Sequence, residues 1–107
     1  MVKEITDSSE FWQLARGQTL TVVDFFATWC GPCKEMEPIL EEFERQYPMF
    51  HFVKINVDNP DLQNVADQCQ VKSLPTFHFI FNSKSHNKVV GANSQAIKMV
   101  LDSYLKM

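Results

Sequence analysis

The sequence predicts an α/β domain: a central mixed sheet of about five strands, flanked by about four helices. Three observations predict it. Apolar runs of strand length alternate with segments of helical period along the whole chain. The early strand–helix–strand units call for parallel pairing, and two late strands joined by a polar turn call for an antiparallel hairpin. The chain has 107 residues, enough for one domain (1–107) with one core and no disulfide staples.

The elements follow in order. A short first strand opens the chain. Asp7 reads as a helix N-cap with Glu10 as its capping-box partner. Phe11, Leu14 and Ala15 then share one face, and Gly17 stops the helix. Leu20 to Ala27 is β-branched and aromatic, as a strand buried on both faces should be. From Cys33 to Tyr47, Met36, Ile39, Leu40, Phe43 and Tyr47 repeat at helical spacing, and acidic residues take the other side. Pro38 lies inside this helix and predicts a kink. Phe52 to Val57 is a second central strand, with Val53, Ile55 and Val57 on one face and Phe52, Lys54 and Asn56 on the other. Asn59-Pro60 caps a helix carrying Leu62, Val65, Ala66 and Cys69. Thr76 to Phe81 is a third strand, with Phe77, Phe79 and Phe81 on one face. A polar turn is expected over Asn82 to Asn87, then a short edge strand from Lys88 to Val90. The last helix starts near Asn93 or Ser94 and turns Ile97, Val100, Leu101, Tyr104 and Leu105 inward.

Composition narrows the function. A hydrophobic share of 45% with 21% charged residues belongs to a globular chain and not a disordered one. A net charge of −3 gives no basic footing for nucleic acid. No run approaches the roughly 18 apolar residues of a membrane span. The first residues, MVKEITDSSEF, lack the apolar core of a signal peptide, so the expected site is a reducing, cytosol-like compartment, with the nucleus as a second location. In such a compartment a close cysteine pair means redox chemistry or metal.

That pair is Cys30 and Cys33, within Val22–Lys34, VVDFFATWCGPCK. The segment leaves a buried strand and enters a helix. Cys30 sits just ahead of that helix, where free N–H groups and the positive end of the dipole stabilise a thiolate. Cys33 lies one turn on, within disulfide reach. Gly31 permits the close turn and Pro32 fixes the backbone at the helix start. An exposed Cys30 thiolate would attack a substrate disulfide, and Cys33 would resolve the mixed disulfide. Three alternatives stay open: half of a zinc site completed from Cys69, His51, His78 and His86, a pair of packing residues, or an inert structural disulfide. The three histidines are scattered and read as surface residues. Cys69 sits on an apolar helix stripe and reads as a small buried hydrophobe.

The chain resembles the thioredoxin family over nearly its whole length. The resemblance rests on VVDFFATWCGPCK, on Pro38, on KINVDNP, on Leu74-Pro75-Thr76 and on Val90-Gly91-Ala92. It implies the thioredoxin fold and dithiol–disulfide exchange on protein disulfides, with recharging by thioredoxin reductase and NADPH. It implies no bound cofactor beyond a redox-active Cys30–Cys33 disulfide, and no metal. A monomer is the expected state, with a dimer as the alternative. Gly31-Pro32 between the cysteines resembles the reducing members. The chain departs from the family at Phe26, where some relatives carry tryptophan. It also departs in the late hairpin, where the usual glycine is missing and Asn82 or Asn87 is expected to take the left-handed position.

The resemblance also assigns supporting residues. Val22, Asp24 and Phe26 share a face, so Asp24 points inward, and burial should raise its pKa. The family carries a buried aspartate six residues before the first cysteine, and there Asp24 would accept the Cys33 proton through water. The competing reading is a structural Asp24 paired with Lys54. By resemblance Lys54 lies beside Asp24 and tunes its charge. The Leu74–Pro75 bond would be cis, packed against the cysteines, leaving the Leu74 backbone to pair with an extended substrate. Trp29, Leu74, Thr76, Gly91 and Ala92 would form the docking surface around Cys30, with Gly91 admitting a partner backbone.

Overall fold

A computed structural model describes residues 1–106. Five strands form one mixed sheet: β1 (Lys3–Glu4), β2 (Thr21–Phe26), β3 (His51–Asn56), β4 (Thr76–Phe81) and β5 (Lys84–Val90), in the order β1-β3-β2-β4-β5. β3 pairs parallel with β1 and β2, while β4 pairs antiparallel with β2 and β5. The two pairing modes follow from connection length. A helix crosses between β2 and β3, whereas β4 and β5 are joined by a tight turn.

Helices cover both faces. Phe11 and Ala15 of α1 (Ser8–Arg16) and Val65 and Ala66 of α3 (Gln63–Gln68) pack on Val23, Phe25, Val53, Ile55 and Ile80. Met36, Leu40 and Phe43 of α2 (Gly31–Gln46) and Ile97 and Leu101 of α4 (Ser94–Leu105) pack on Val22, Phe52, Phe77 and Phe79. Strand alternation sends successive side chains to opposite layers, so β2 feeds two cores at once. Asp24 therefore shares its layer with Val22, beneath α2.

Several boundaries differ from the sequence expectation. α2 starts at Gly31, not Cys33, because Cys30 caps it, and the helix runs on through Pro38. The segment after Asn59 opens as a 3-10 turn (Pro60–Leu62), and only then becomes α3. Asp7 accepts a hydrogen bond from the Glu10 N–H at 3.0 Å, but the Glu10 carboxylate pairs with Lys3, so only half of a capping box forms. Leu105 is exposed, outside the apolar face of α4.

The largest correction is the late hairpin. Its turn is only Asn82-Ser83, both at positive φ (52° and 63°), and β5 begins at Lys84. Asn82 does take a left-handed position, but Asn87 is a strand residue opposite Phe79. The turn N–H groups donate to the Gly17 and Ala15 carbonyls at 2.8 and 2.7 Å, which satisfies the end of α1. His78 is not on the surface. It is 5% exposed, and its Nδ1 lies 2.7 Å from Ser85 Oγ of the lengthened β5. Burial, and next Lys88, hold its pKa below the ordinary histidine value.

Candidate active site

β2 ends at Phe26, and Ala27 to Cys30 turn the chain into α2. The Cys30 N–H donates to the Ala27 carbonyl at 3.2 Å, closing this turn. Cys30 is the N-cap: its Sγ accepts from the Cys33 N–H at 3.2 Å, and its carbonyl accepts from the Lys34 N–H at 3.3 Å. A sulfur in this position receives a helix N–H and the positive end of the dipole, which is what a thiolate needs. Cys30 and Cys33 are joined as a disulfide, with Cα atoms 5.3 Å apart. Gly31 is exposed and unobstructed: an added Cβ would meet nothing within 4 Å, so space in the turn does not demand glycine there, contrary to the sequence expectation of a close turn. Pro32 sits in the first turn of α2, where no N–H is needed.

Cys30 is not openly exposed, contrary to the sequence expectation. It is 5% exposed and Cys33 3%. Access comes through an open groove of about 600 Å3 lined by Trp29, Cys30, Pro32, Asp58, Asp67 and Leu74 among others. Cys30 borders this groove and Cys33 does not. Phe26, Ala27, Val57 and Leu74 pack around the pair from the protein side.

The residues expected to form the docking surface are not all alike. Trp29 is 70% exposed, and its Nε1 donates to Asp58 Oδ2 at 2.8 Å, which fixes the ring beside Cys30. The sequence reading missed Asp58, although it lies in the KINVDNP segment. The Leu74–Pro75 bond is cis. Among the described residues, the Leu74 N–H and C=O make no backbone hydrogen bond. The Gly91 N–H donates to the Pro75 carbonyl at 2.8 Å, which brings Gly91 and the exposed Ala92 against the same loop. Gly91 has φ +95°, a conformation that itself favours glycine. Thr76 is set apart: it is 2% exposed, and its hydroxyl donates back to the Ser73 carbonyl at 2.6 Å.

Asp24 is 3% exposed, and its Oδ1 has no hydrogen-bond partner in the protein. Burial pushes its pKa up to about 7, against the pull of Lys54 and with a further push from Glu37. Lys54 is its neighbour across the β2–β3 ladder. The Lys54 ammonium, however, lies over the Phe26 ring, 5.2 Å from its centre, and makes no ion pair with Asp24. A small cavity of about 20 Å3 joins Asp24, Lys54, Glu37 and Glu41, enough for one water. Cys69 is half-buried and free, and burial pushes its thiol up to about 11, far from a reactive thiolate. Among the described residues no three His, Cys, Asp or Glu side chains gather as a metal would require.

The comparisons with known proteins agree with this geometry. The Thioredoxin family model matches residues 2–103. Thioredoxin-2 of Saccharomyces cerevisiae is 45% identical over 104 residues, covering 96% of this chain and 98% of that protein. Thioredoxin of Homo sapiens is 38% identical over 104 residues, covering 95% and 97%. The crystal structure of thioredoxin from Trypanosoma brucei brucei superposes with a TM-score of 0.93 at 31% identity, covering 100% of this chain and 93% of that one. The Cys30–Cys33 pair makes this chain a thiol–disulfide oxidoreductase that reduces protein disulfides, and the chain belongs to the thioredoxin family.

Proposed function

We propose that Cys30 is the attacking sulfur and Cys33 the resolving one. The observation that carries this is the asymmetry at the groove, which Cys30 borders and Cys33 does not. The Cys30 thiolate attacks one sulfur of a substrate disulfide, forming a Cys30–substrate bond and releasing the first substrate thiolate. Cys33 then gives up its proton to Asp24 and attacks the Cys30 sulfur. The Cys30–Cys33 bond forms and the second substrate sulfur leaves, so two electrons pass to the substrate. Trp29, Leu74, Gly91 and Ala92 hold an extended substrate segment. Thr76, which is buried, acts by fixing the loop through Ser73.

Thioredoxin reductase, drawing on NADPH, returns two electrons to the pair. The working compartment is the cytoplasm, with the nucleus as a second site, where NADPH keeps thiols reduced. The working state is a monomer.

Reduction of insulin disulfides, with NADPH and a thioredoxin reductase as the electron source, tests the scheme. Cys30→Ser is expected to lose turnover. Cys33→Ser is expected to accumulate a mixed disulfide with insulin, visible by mass. Undiminished turnover in Cys30→Ser, or adducts formed at Cys33 in that variant, would overturn the assignment. Antibody staining of fractionated cells locates the chain.

A further inference from the structure

The cavity beside Asp24 holds a residue the scheme above leaves idle. Its walls are Val2, Asp24 of β2, Lys54 of β3, and Glu37, Leu40 and Glu41 of α2. β4 presents only Phe77 opposite Asp24, and the N-terminal segment only Val2, so among the described residues the charges that line the cavity with Asp24 are Lys54, Glu37 and Glu41. Glu37 stands four residues after Cys33, which places it one turn further along the same face of α2. The helix thus carries Cys33, which packs with Phe26 and Ala27 at the end of β2, one turn ahead of Glu37, which borders the cavity with Asp24.

The charges around this cavity oppose one another. Lys54 favours an ionised Asp24, and alone would make it a weak base. A second carboxylate favours the protonated form. A base for a thiol must bind its proton tightly enough to take it, yet release it afterwards. We propose that Glu37 is a positioning residue for the resolving step: across the shared cavity it offsets Lys54 and keeps Asp24 a strong enough base to take the Cys33 proton. The proposal rests on the proton role given to Asp24 above. In the step itself the Cys33 S–H proton moves to the Asp24 carboxylate, and the Cys33 sulfur forms its bond to Cys30. The departing substrate sulfur keeps the electron pair of its broken bond and takes a proton from water, and Asp24 then gives its own proton to water. Like-charge repulsion from Glu37 is the second influence, after burial, that holds the Asp24 proton on.

The experiment follows the Asp24 carboxyl carbon by NMR through a pH titration of the oxidised protein, where neither active-site cysteine titrates. The resolving rate is measured against pH by single turnover. Glu37→Gln is expected to shift the Asp24 midpoint down and to move the acid limb of the rate with it. Glu37→Asp, which keeps the charge, is expected to restore both. Glu35→Gln makes the same charge change elsewhere on α2, outside the cavity, and is expected to leave both in place. An unmoved midpoint in Glu37→Gln, or an equal shift in Glu35→Gln, overturns the proposal alone. A midpoint that moves while the rate does not sinks the proton role of Asp24, and this proposal with it.

Discussion

At the scale of single residues, two side chains of the site are placed against their ordinary preferences. Cys30 caps a helix where serine or aspartate is usual, so its sulfur takes the Cys33 N–H. Asp24 occupies a strand position whose neighbours Val22 and Phe26 are apolar and buried. Burial makes it a poor acid and therefore a usable base near neutral pH. Asp24→Asn is expected to slow the resolving step by up to about 100-fold, the low end of what a positioned base supplies. In the unaltered protein that rate should fall as pH drops below about 7, where Asp24 becomes protonated. The variant should lose this acid limb. Stopped-flow measurement between about pH 5 and 9 decides it, since equal profiles would remove Asp24 from the mechanism. Both residues were legible because each breaks a pattern in one short segment. Glu37 was not: on a helix whose outer face is mostly acidic it reads as one more solvated charge, and only the register of α2 over β2 sets it beside Asp24.

At the scale of elements, central strands were legible, and of the edge strand β5 only the end, Lys88 to Val90, was. β2 and β4 bury nearly every side chain, so their sequences are mostly apolar, with Thr21, Asp24, Thr76 and His78 as the polar exceptions. β5 is an edge strand whose first five residues, Lys84 to Lys88, are exposed. Those residues, KSHNK, show no alternation, and they are held as strand by pairing with β4 rather than by propensity. A register shift opposite Phe79 and Ile80 leaves His86 as the extra residue, which further blurs the pattern. The two-residue turn has both φ values positive, the shape that Asn-Gly favours, yet here it is Asn82-Ser83. A left-handed serine costs about 1–2 kcal/mol, and glycine gives back about 0.5–1 through the greater freedom of the unfolded chain. Ser83→Gly should therefore raise stability by about 0.5–1 kcal/mol, because the N–H bond to Ala15 is kept. Urea unfolding reads this as a higher midpoint at unchanged slope, with insulin reduction unaltered. A lower midpoint would mean that the Ser83 side chain contributes to the turn.

At the scale of the whole molecule, the buried carboxyl of Asp24 weakens the fold. Asp24 holds its proton up to about 7 when folded, against an ordinary value of 3.8. Between those pH values the folded chain binds more protons than the unfolded one, so stability falls as pH rises through the window. Above about 7 the full cost is present, on the order of 4 kcal/mol at 1.36 kcal/mol per pH unit. That is a large share of the roughly 5–15 kcal/mol that holds a domain of this size. His78 works in the other direction. Its lowered pKa means the unfolded chain takes up protons first as pH drops, so stability is lost on the acid side of the histidine range. This contribution is common to any variant at position 24 and cancels in a comparison. Asp24→Asn, which cannot ionise, should therefore be more stable than the unaltered protein by up to about 4 kcal/mol at pH 8. The gap should narrow steadily below about pH 7 and nearly close by about pH 4. Urea unfolding of both proteins at a series of pH values measures it directly. A gap that stays constant from acid to alkaline pH would mean that Asp24 titrates alike in the folded and unfolded chain, and that the buried site does not hold its proton.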